Sequence, residues 1–314
     1  MKIMLLSAMV AAVLPVSGQH TVTPPSPPRL PLATVFKGEK KFHAMVRQAE
    51  EENWRQLPIG ARTIRAARAM VGTPYVNYTL EVHDRIESPV VNFTGMDCWT
   101  YYENALAFAR MLRYKPGPYK PEDMLHMIEL ERYRGGRCTG GYLSRMHQLE
   151  EVFWDNERRG FAKNITPKIP GARRLQREIR EMTVQWKSYR YLRNNPGLLP
   201  EMGRIEARVS KLPVYHIPKD KVRGIENYLQ DGDVCAITAN WKDSYTSHVG
   251  LIVKLKGRAY FTHATSDRDK GRMTIIDRPI TDYLNGNRKH AGIIVLRPLD
   301  LPPSKLWQRP VAGR

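Results

Sequence analysis

The sequence predicts an α+β fold in which helices precede an antiparallel sheet. Between residues 40 and 222, apolar residues recur mostly at the three- to four-residue spacing of amphipathic helices. After residue 232, the chain breaks into short segments rich in Val, Ile and aromatic residues, separated by Gly, Asp and Asn. Helices first and strands last are typical of an α+β domain and not of a doubly wound one.

The N-terminal residues predict export of the chain. Lys2 precedes an apolar run over residues 3–14 and small residues up to Gly18, which is the pattern of a secretory signal peptide over residues 1–18. Residues 19–39 include the proline-rich stretch HTVTPPSPPRLP and predict an extended, exposed lead-in. We therefore expect a secreted protein, located in the periplasm.

Residues 40–300 predict a single domain, followed by a C-terminal tail over 301–314. One or two amphipathic helices are expected over 40–70, and a strong helix over 98–113 that ends at Pro116-Gly117. A basic, mainly helical insert is expected over about 119–225. The predicted strands are Val234–Thr238, His248–Leu255, Ala259–Ala264, Met273–Ile276 and Gly292–Arg297.

The net charge of the chain limits the classes of partner that it is expected to bind. The 314 residues include 50 Lys plus Arg and 31 Asp plus Glu, a formal charge of +19, with 42% hydrophobic residues. This apolar content excludes a disordered chain, and the lack of a stretch of about 20 apolar residues predicts no transmembrane segment. Residues 157–223 hold 17 basic and 6 acidic residues, so much of the excess lies in the insert. This charge could attract an anionic envelope surface or acidic substrates. The alternative is a basic helical face that only contacts solvent.

Cys98 is the first candidate for chemistry. Asp97 can cap the predicted helix, which makes Cys98 its first residue. The positive end of the helix dipole would then lower the pKa of the thiol, and the free N–H groups could receive an oxyanion. A buried structural cysteine at a helix end is the alternative.

A predicted hairpin supplies two histidines. A turn centred between Leu255 and Lys256 would place His248 opposite His263, whereas a turn at Lys256-Gly257 would place His248 opposite Thr265. Either register leaves both imidazoles on one face of the sheet. A turn with an odd number of residues, or a β-bulge, would place them on opposite faces. One histidine could then take the thiol proton while the other orients it.

The remaining cysteines predict no further chemistry. Cys235 lies in an apolar run and is expected to be buried, whereas Cys138, between two Gly pairs, is expected to be more exposed. A disulfide between them is an open alternative. No zinc-type spacing and no phosphate-binding glycine loop occurs, so we expect neither a metal nor an organic cofactor.

These motifs together resemble a known family. Gly72-Thr73-Pro74-Tyr75, Asp97-Cys98, Asp231-Gly232-Asp233-Val234, Ser247-His248-Val249-Gly250 and Thr262-His263-Ala264 resemble the NlpC superfamily of papain-like bacterial cell-wall cysteine hydrolases. Over residues 60–298 the chain is similar to its N-acetylmuramoyl-L-alanine amidase-like branch, which carries a large helical insert. The motifs behind that narrower match are Tyr133-Arg134-Gly135-Gly136, the run from Gly141 to His147, Trp154-Asp155-Asn156, the run from Lys163 to Thr166 and Ile217-Pro218-Lys219.

The resemblance implies a papain-like NlpC core, with Cys98 as nucleophile at the start of a helix packed on the sheet. His248 would be the base and His263 the orienting residue. Two departures stand out: Cys98 is followed by Trp99-Thr100 where common relatives have Ser-Gly, and 23 positions separate it from the implied thiolate neighbour, Tyr75. The residues expected to bind substrate are Tyr75, Asp97, Trp99, Arg145, His147 and Ser247, with Arg145 pairing with a stem-peptide carboxylate.

The implied activity is hydrolysis of peptidoglycan or soluble muropeptides at the amide between muramic acid and L-alanine, through a thioester and without a cofactor. An endopeptidase that cuts D-glutamyl-diamino acid bonds is the alternative enzyme. An inactive wall-binding module is a third hypothesis, and the complete Cys and His set argues against it. Nucleic-acid binding rests on charge alone and lacks a recognisable motif.

Overall fold

The computed structural model describes residues 29–114 and 116–302. The expected signal peptide, the first part of the lead-in and most of the C-terminal tail therefore lie outside the described residues. The helices are α1 (Leu32–Val35), α2 (Glu39–Glu51), α3 (Ile59–Ala69), α4 (Cys98–Tyr114), α5 (Pro121–Arg132), α6 (Leu149–Arg158), α7 (Glu181–Val184), α8 (Arg190–Asn194), α9 (Leu199–Val209), α10 (Val222–Ile225) and α11 (Ile280–Asn285). The strands are β1 (Phe36–Lys37), β2 (Val91–Asn92), β3 (Ala162–Asn164), β4 (Arg173–Leu175), β5 (Val214–Pro218), β6 (Val234–Ala239), β7 (Thr246–Leu255), β8 (Arg258–Ala264), β9 (Thr274–Pro279) and β10 (His290–Pro298).

The described part of the lead-in is not simply extended. Residues 32–35 form one helical turn, and β1 pairs in parallel with β2, which joins Phe36 to Val91. The prediction fails here because the prolines end at Pro31 and an apolar run follows. Phe36 is buried, with its ring centroid 5.5 Å from that of Phe42.

An antiparallel sheet forms the second half of the domain, as predicted. Its strand order is β4-β5-β10-β6-β7-β8-β9, and β3 pairs with β10 beside β5. Both faces of the sheet are covered: Val234 and Ala236 of β6 face the core that includes α4, whereas Cys235 and Ile237 face the core that includes α10 and α11. Because both faces are buried, these strands appear in the sequence as continuous apolar runs.

The insert is less helical than predicted. It contains α5 to α10, and it also contributes β3, β4 and β5 to the sheet. These strands are short. Residues 214–218 of β5 end in Pro218 and do not alternate clearly between apolar and polar residues, so their sequence does not indicate a strand. The insert is therefore joined to the sheet through β10.

The turn between β7 and β8 sets the histidine register. Leu255 pairs with Arg258, so the two turn residues are Lys256 and Gly257, with φ of 49° and 75°. Positive φ at both positions is what a type I′ turn requires. This is the second of the two predicted registers, and it leaves His248 and His263 on one face.

Helix α4 is the central element of the domain. Every residue from Thr100 to Leu112 is buried, and the Tyr101 hydroxyl lies 2.7 Å from Oγ1 of Thr262 in β8. Two of these buried residues are charged. Arg132 of α5 donates to Glu103 at 2.6 and 2.8 Å. Glu103 is thus held in a buried ion pair within the core.

No helix among residues 29–114 and 116–302 is long and apolar enough to cross a membrane.

We predict that Arg132→Met lowers the free energy of unfolding by about 3–5 kcal/mol, because it leaves the Glu103 carboxylate buried without its cation. The double variant Glu103→Leu, Arg132→Met should recover part of this loss, as it removes both charges. Equilibrium urea unfolding followed by circular dichroism measures both. Arg204→Met is the matched control, because Arg204 pairs with Glu201 on an exposed helix face. Equal unfolding midpoints for the Arg132 and Arg204 variants would contradict this role of the buried pair.

Candidate active site

A cavity of about 410 Å³ lies at the N-terminus of α4. It brings together residues from the Cys helix, the insert and the start of β7, which are far apart in the sequence. The expected site residues that line it are Tyr75, Asp97, Cys98, Trp99, Arg145, His147, Ser247 and His248. His263 does not line the cavity and lies behind His248.

The capping residue places Cys98 at the start of α4. Asp97 Oδ1 accepts the backbone N–H of Thr100 at 2.8 Å, and the Asp97 N–H donates back to Thr100 Oγ1 at 3.0 Å. The two residues therefore cap the helix reciprocally, and the predicted cap is confirmed.

The predicted direction of the Cys98 pKa is wrong. Burial, followed by the adjacent Asp97 carboxylate, raises the pKa of this thiol to about 12. The backbone N–H groups of Val249 and Trp99 act in the opposite direction but are outweighed. Loss of hydration thus dominates the helix dipole, and the resting group is a thiol.

Behind the cavity, a hydrogen-bonded chain runs from His248 to Asp277. His248 Nε2 lies 2.7 Å from His263 Nδ1, and His263 Nε2 lies 3.3 Å from Asp277 Oδ2. Lys270 and Arg278 also pair with Asp277, and these contacts hold the pKa of its carboxyl well below the usual value. An ionised carboxylate only accepts hydrogen bonds, so His263 Nε2 carries a proton and His263 Nδ1 accepts from His248 Nε2. His248 Nδ1 is then the unprotonated nitrogen.

Aromatic rings enclose the two imidazoles. The Phe261 ring stacks on His263 with centroids 4.7 Å apart, and Tyr283 lies against His248 at 6.1 Å. Burial lowers the pKa of His248 well below its ordinary value, and the nearby His263, His290 and Lys270 add to this effect. His248 is therefore neutral near pH 7.

Asp277 is missed by the sequence reasoning. It lies two residues after Ile275, which pairs with His263, so period-two alternation places both side chains on one face. The sequence offers this signal only once the register of β8 and β9 is known.

The Gly72–Tyr75 segment brings Tyr75 to Cys98 despite their separation. Tyr75 forms a parallel bridge with Met96, and the Met96 N–H donates to the Pro74 carbonyl at 3.0 Å. Burial raises the pKa of the Tyr75 hydroxyl, with a further contribution from Cys98. The long intervening loop thus returns to the helix start.

Arg145 and His147 reach the cavity from the insert, but their polar atoms bind protein groups. Arg145 pairs with Glu87 at 3.1 Å and with Glu81 at 3.4 Å. His147 Nε2 lies 3.3 Å from the Tyr142 carbonyl oxygen. The Arg145 guanidinium is therefore already neutralised, and its expected role with a substrate carboxylate would require it to leave these partners.

Five polar atoms of residues that line the cavity are buried and have no hydrogen-bond partner among the described residues. They are Trp99 Nε1, Arg145 Nε, Gln148 Oε1, Glu150 Oε1 and Ser247 Oγ, and of these Arg145 Nε lies in the ion pair with Glu87. Burial raises the pKa of Glu150 to about 7. Buried polar groups are normally paired, so these atoms are candidates for contacts with a ligand.

The other cysteines lie away from this chemistry. Cys138 and Cys235 are free thiols, and both are buried. Cys138 is therefore less exposed than predicted, and its S–H contacts the Glu87 carbonyl oxygen at 3.4 Å. Within the described ranges, no group of three or more His, Cys, Asp or Glu side chains could hold a metal ion.

Solved structures include close matches to this fold. An N-acetylmuramoyl-L-alanine amidase from Bacteroides uniformis ATCC 8492 is 28% identical with a TM-score of 0.68, over 77% of this chain and 99% of its own. A putative xylanase from Bacteroides fragilis is also 28% identical, with a TM-score of 0.65, over 74% of this chain and 98% of its own. A Legionella pneumophila protein at 19% identity, with a TM-score of 0.64 over 83% of this chain and 95% of its own, shares the fold.

Sequence comparison assigns this chain to a family. A search of curated protein sequences finds no significant match. The family model for N-acetylmuramoyl-L-alanine amidase-like proteins, however, matches residues 65–293, which is more than half of the chain and includes Cys98, His248 and His263. The chain belongs to the N-acetylmuramoyl-L-alanine amidase-like (AmiA-like) family.

Proposed function

We propose that the chain is a secreted cysteine amidase that hydrolyses the amide between the lactyl group of N-acetylmuramic acid and L-alanine in peptidoglycan fragments. The observation that carries this proposal is the shared cavity: Cys98, the first residue of α4, borders it together with His248, which is backed by His263 and Asp277. Nucleophile, base and orienting groups in this order are the requirements of acyl transfer. The export step rests on the pattern of residues 1–18.

A papain-like NlpC core is part of the same proposal. A cysteine at the start of a buried helix, packed on an antiparallel sheet that carries the histidines, supports it. The hydrogen bond between Tyr101 and Thr262 joins this helix to the strand of His263. The insert then adds the far wall of the cavity.

The first chemical step forms the thioester. The sulfur of Cys98 attacks the lactyl carbonyl carbon while His248 Nδ1 takes the thiol proton, and the carbonyl electron pair moves to oxygen. Backbone N–H groups at the start of α4 stabilise this oxyanion. The C–N bond then breaks, and His248 returns the proton to the departing amine of L-alanine.

The second step releases the acid. A water molecule gives a proton to His248 and attacks the thioester carbon, after which the C–S bond breaks and the sulfur of Cys98 regains the proton. Because the thiol pKa is raised and the His248 pKa is lowered, the pair is neutral at rest. Charge therefore separates only as the carbonyl is attacked, and Asp277 compensates it through His263.

Electrostatics favours the muramoyl bond over the D-glutamyl bond. The cavity beside Cys98 is lined by Glu81, Asp97, Glu150 and Glu181, with Arg145 as its one cation among the described residues. An endopeptidase would hold D-glutamate there, and a γ-linked D-glutamate carries a free α-carboxylate. Burial raises the pKa of Asp97 and raises that of Glu150 to about 7, so only part of this acidic lining is ionised. A muramoyl group in amide linkage carries no charge, so it avoids repulsion from the part that is ionised.

The aromatic lining also suits a sugar. Aromatic faces pack against the C–H face of a pyranose, while Tyr and Trp retain a polar end for its hydroxyl and acetamido groups. The aromatic side chains that line this cavity are Tyr75, Tyr78, Trp99, Tyr142, Tyr189 and Trp241.

The first test removes the nucleophile. Cys98→Ala should reduce release of L-alanyl peptide from a defined muropeptide by at least about 10⁴-fold, with the fold retained, because no other group forms the thioester. Cys138→Ala, which removes a thiol that does not line this cavity, is the matched control. Undiminished turnover by Cys98→Ala would refute the assignment. Mass analysis of the wild-type products identifies the bond, since cleavage after D-glutamate would release a different peptide.

The second test concerns the Cys98 pKa. Asp97→Asn keeps a capping side chain but removes the carboxylate that helps to raise this pKa, so the pKa should fall. Alkylation by iodoacetamide at pH 8 should then become about threefold to tenfold faster, because more thiolate is present. Asp97→Ala should also react faster but lose about 1 kcal/mol of stability with the cap. Unchanged alkylation in both variants would contradict the effect of Asp97.

The third test concerns Asp277. Asp277→Asn can present an amide N–H to His263 and so reverse the proton arrangement along the chain. We expect kcat to fall by about 10- to 1000-fold, with little change in KM, because His248 Nδ1 would no longer carry the lone pair that accepts the thiol proton in the proposed mechanism. Nitrogen NMR of the imidazoles reports the tautomer, and Asp269→Asn, at an exposed position, is the control. Retention of the wild-type tautomer together with full kcat would contradict this role.

A further inference from the structure

A second cavity of about 540 Å³ lies on the other side of His248. It shares Trp241, Ser247 and His248 with the cavity already described, but Cys98 does not line it. The imidazole of His248 therefore borders two spaces, and only one of them contains the nucleophile.

The two cavities differ in charge. The second cavity is lined by Lys270, Arg278 and Lys289, with Asp267 as its only acidic lining residue in the described part of the chain. The first cavity has four acidic lining residues and one arginine, as described above. A substrate with one neutral end and one anionic end would be oriented by this difference.

Not all of this positive charge is free. Lys270 and Arg278 share the carboxylate of Asp277, so that cluster retains one excess positive charge. Lys289 is exposed and forms no ion pair with another described residue. Its ammonium group is therefore the cation best placed to accept a new partner.

The chemistry of the proposed reaction indicates which part of the substrate enters this cavity. The departing amine takes its proton from His248, so the leaving peptide must begin beside that imidazole. The acyl part stays on Cys98 in the first cavity. The peptide released by a muramoyl amidase carries free carboxylates beyond L-alanine, and a muramoyl group does not.

We propose that the second cavity binds a carboxylate of the leaving peptide, with Lys289 as the main cation and the Lys270 and Arg278 cluster as its support. This proposal rests on the proposed function and extends it by naming the specificity site for the peptide. The first cavity then receives the sugar. The difference in charge between the two cavities determines which end of the substrate enters each of them.

Turnover measurements test whether the second cavity favours substrates that carry a carboxylate. The two substrates are N-acetylmuramoyl-L-alaninamide, which has no carboxylate, and an N-acetylmuramoyl tripeptide with free carboxylates. Lys289→Met should reduce the preference for the tripeptide, measured as the ratio of kcat/KM values, by about threefold to tenfold, mainly through KM. Lys289→Glu should reduce it further. Lys168→Met, which changes an exposed lysine of the insert that lines neither cavity, is the matched control.

Peptide binding tests the cavity independently of turnover. Calorimetry would measure binding of the free peptide L-alanyl-γ-D-glutamyl-diaminopimelate to the Cys98→Ala protein and to the Cys98→Ala, Lys289→Met double variant. We expect the double variant to bind about threefold to tenfold more weakly, and the difference to shrink at high salt.

The outcomes separate the two proposals. If the wild-type protein fails to release L-alanyl peptide, the proposed function is wrong, and the calorimetry still decides whether the cavity binds the peptide. An unchanged substrate ratio in Lys289→Met, or equal peptide affinity in the two Cys98→Ala proteins, would overturn the assignment of this cavity.

Discussion

The burial of α4 is the constraint on which the rest of the structure depends. A helix whose residues 100–112 are all buried must be surrounded, and the sheet, α3 and α5 provide this enclosure. Its charged residues, Glu103 and Arg110, are then held by Arg132 and Glu131 of α5. Such pairs fix the position of a helix more than they stabilise it, because desolvation offsets most of their attraction. The start of this helix, and with it Cys98, is accordingly fixed relative to the sheet.

The same enclosure explains why the site is neutral at rest. Cys98 and His248 are half-buried, and the loss of hydration that this causes keeps both in their uncharged forms, even with helix N–H groups nearby. In the proposed mechanism, reactivity then depends on a substrate that supplies the electrophile, and on His263 and Asp277, which would stabilise the imidazolium as it forms. A thiol of this kind reacts slowly with small oxidants.

The sequence predicted the helix start, the hairpin histidines and all five C-terminal strands, because capping, turn chemistry and short runs of Val, Ile and aromatic residues are local signals. It did not predict β3 to β5, since those strands are specified by their partner β10 and not by their own pattern. The pKa of Cys98 was misjudged for a related reason: the helix dipole can be read from Asp97 and Cys98, whereas burial depends on the insert and on β7. Asp277 was not predicted because its position beside His263 depends on the register of β8 and β9. Lys289 was not predicted because it belongs to a second cavity, and no local sequence motif indicates either arrangement.

The turn at Lys256-Gly257 has a consequence for how this sequence can change. Because side chains alternate along a strand, adding or deleting one residue in the turn would move His248 and His263 to opposite faces of the sheet, although every site residue would still be present. Adding two residues would preserve their relation. A short, exposed turn of this kind usually tolerates drift in length. Here the proposed catalytic geometry would restrict changes in the length of the turn to even numbers of residues.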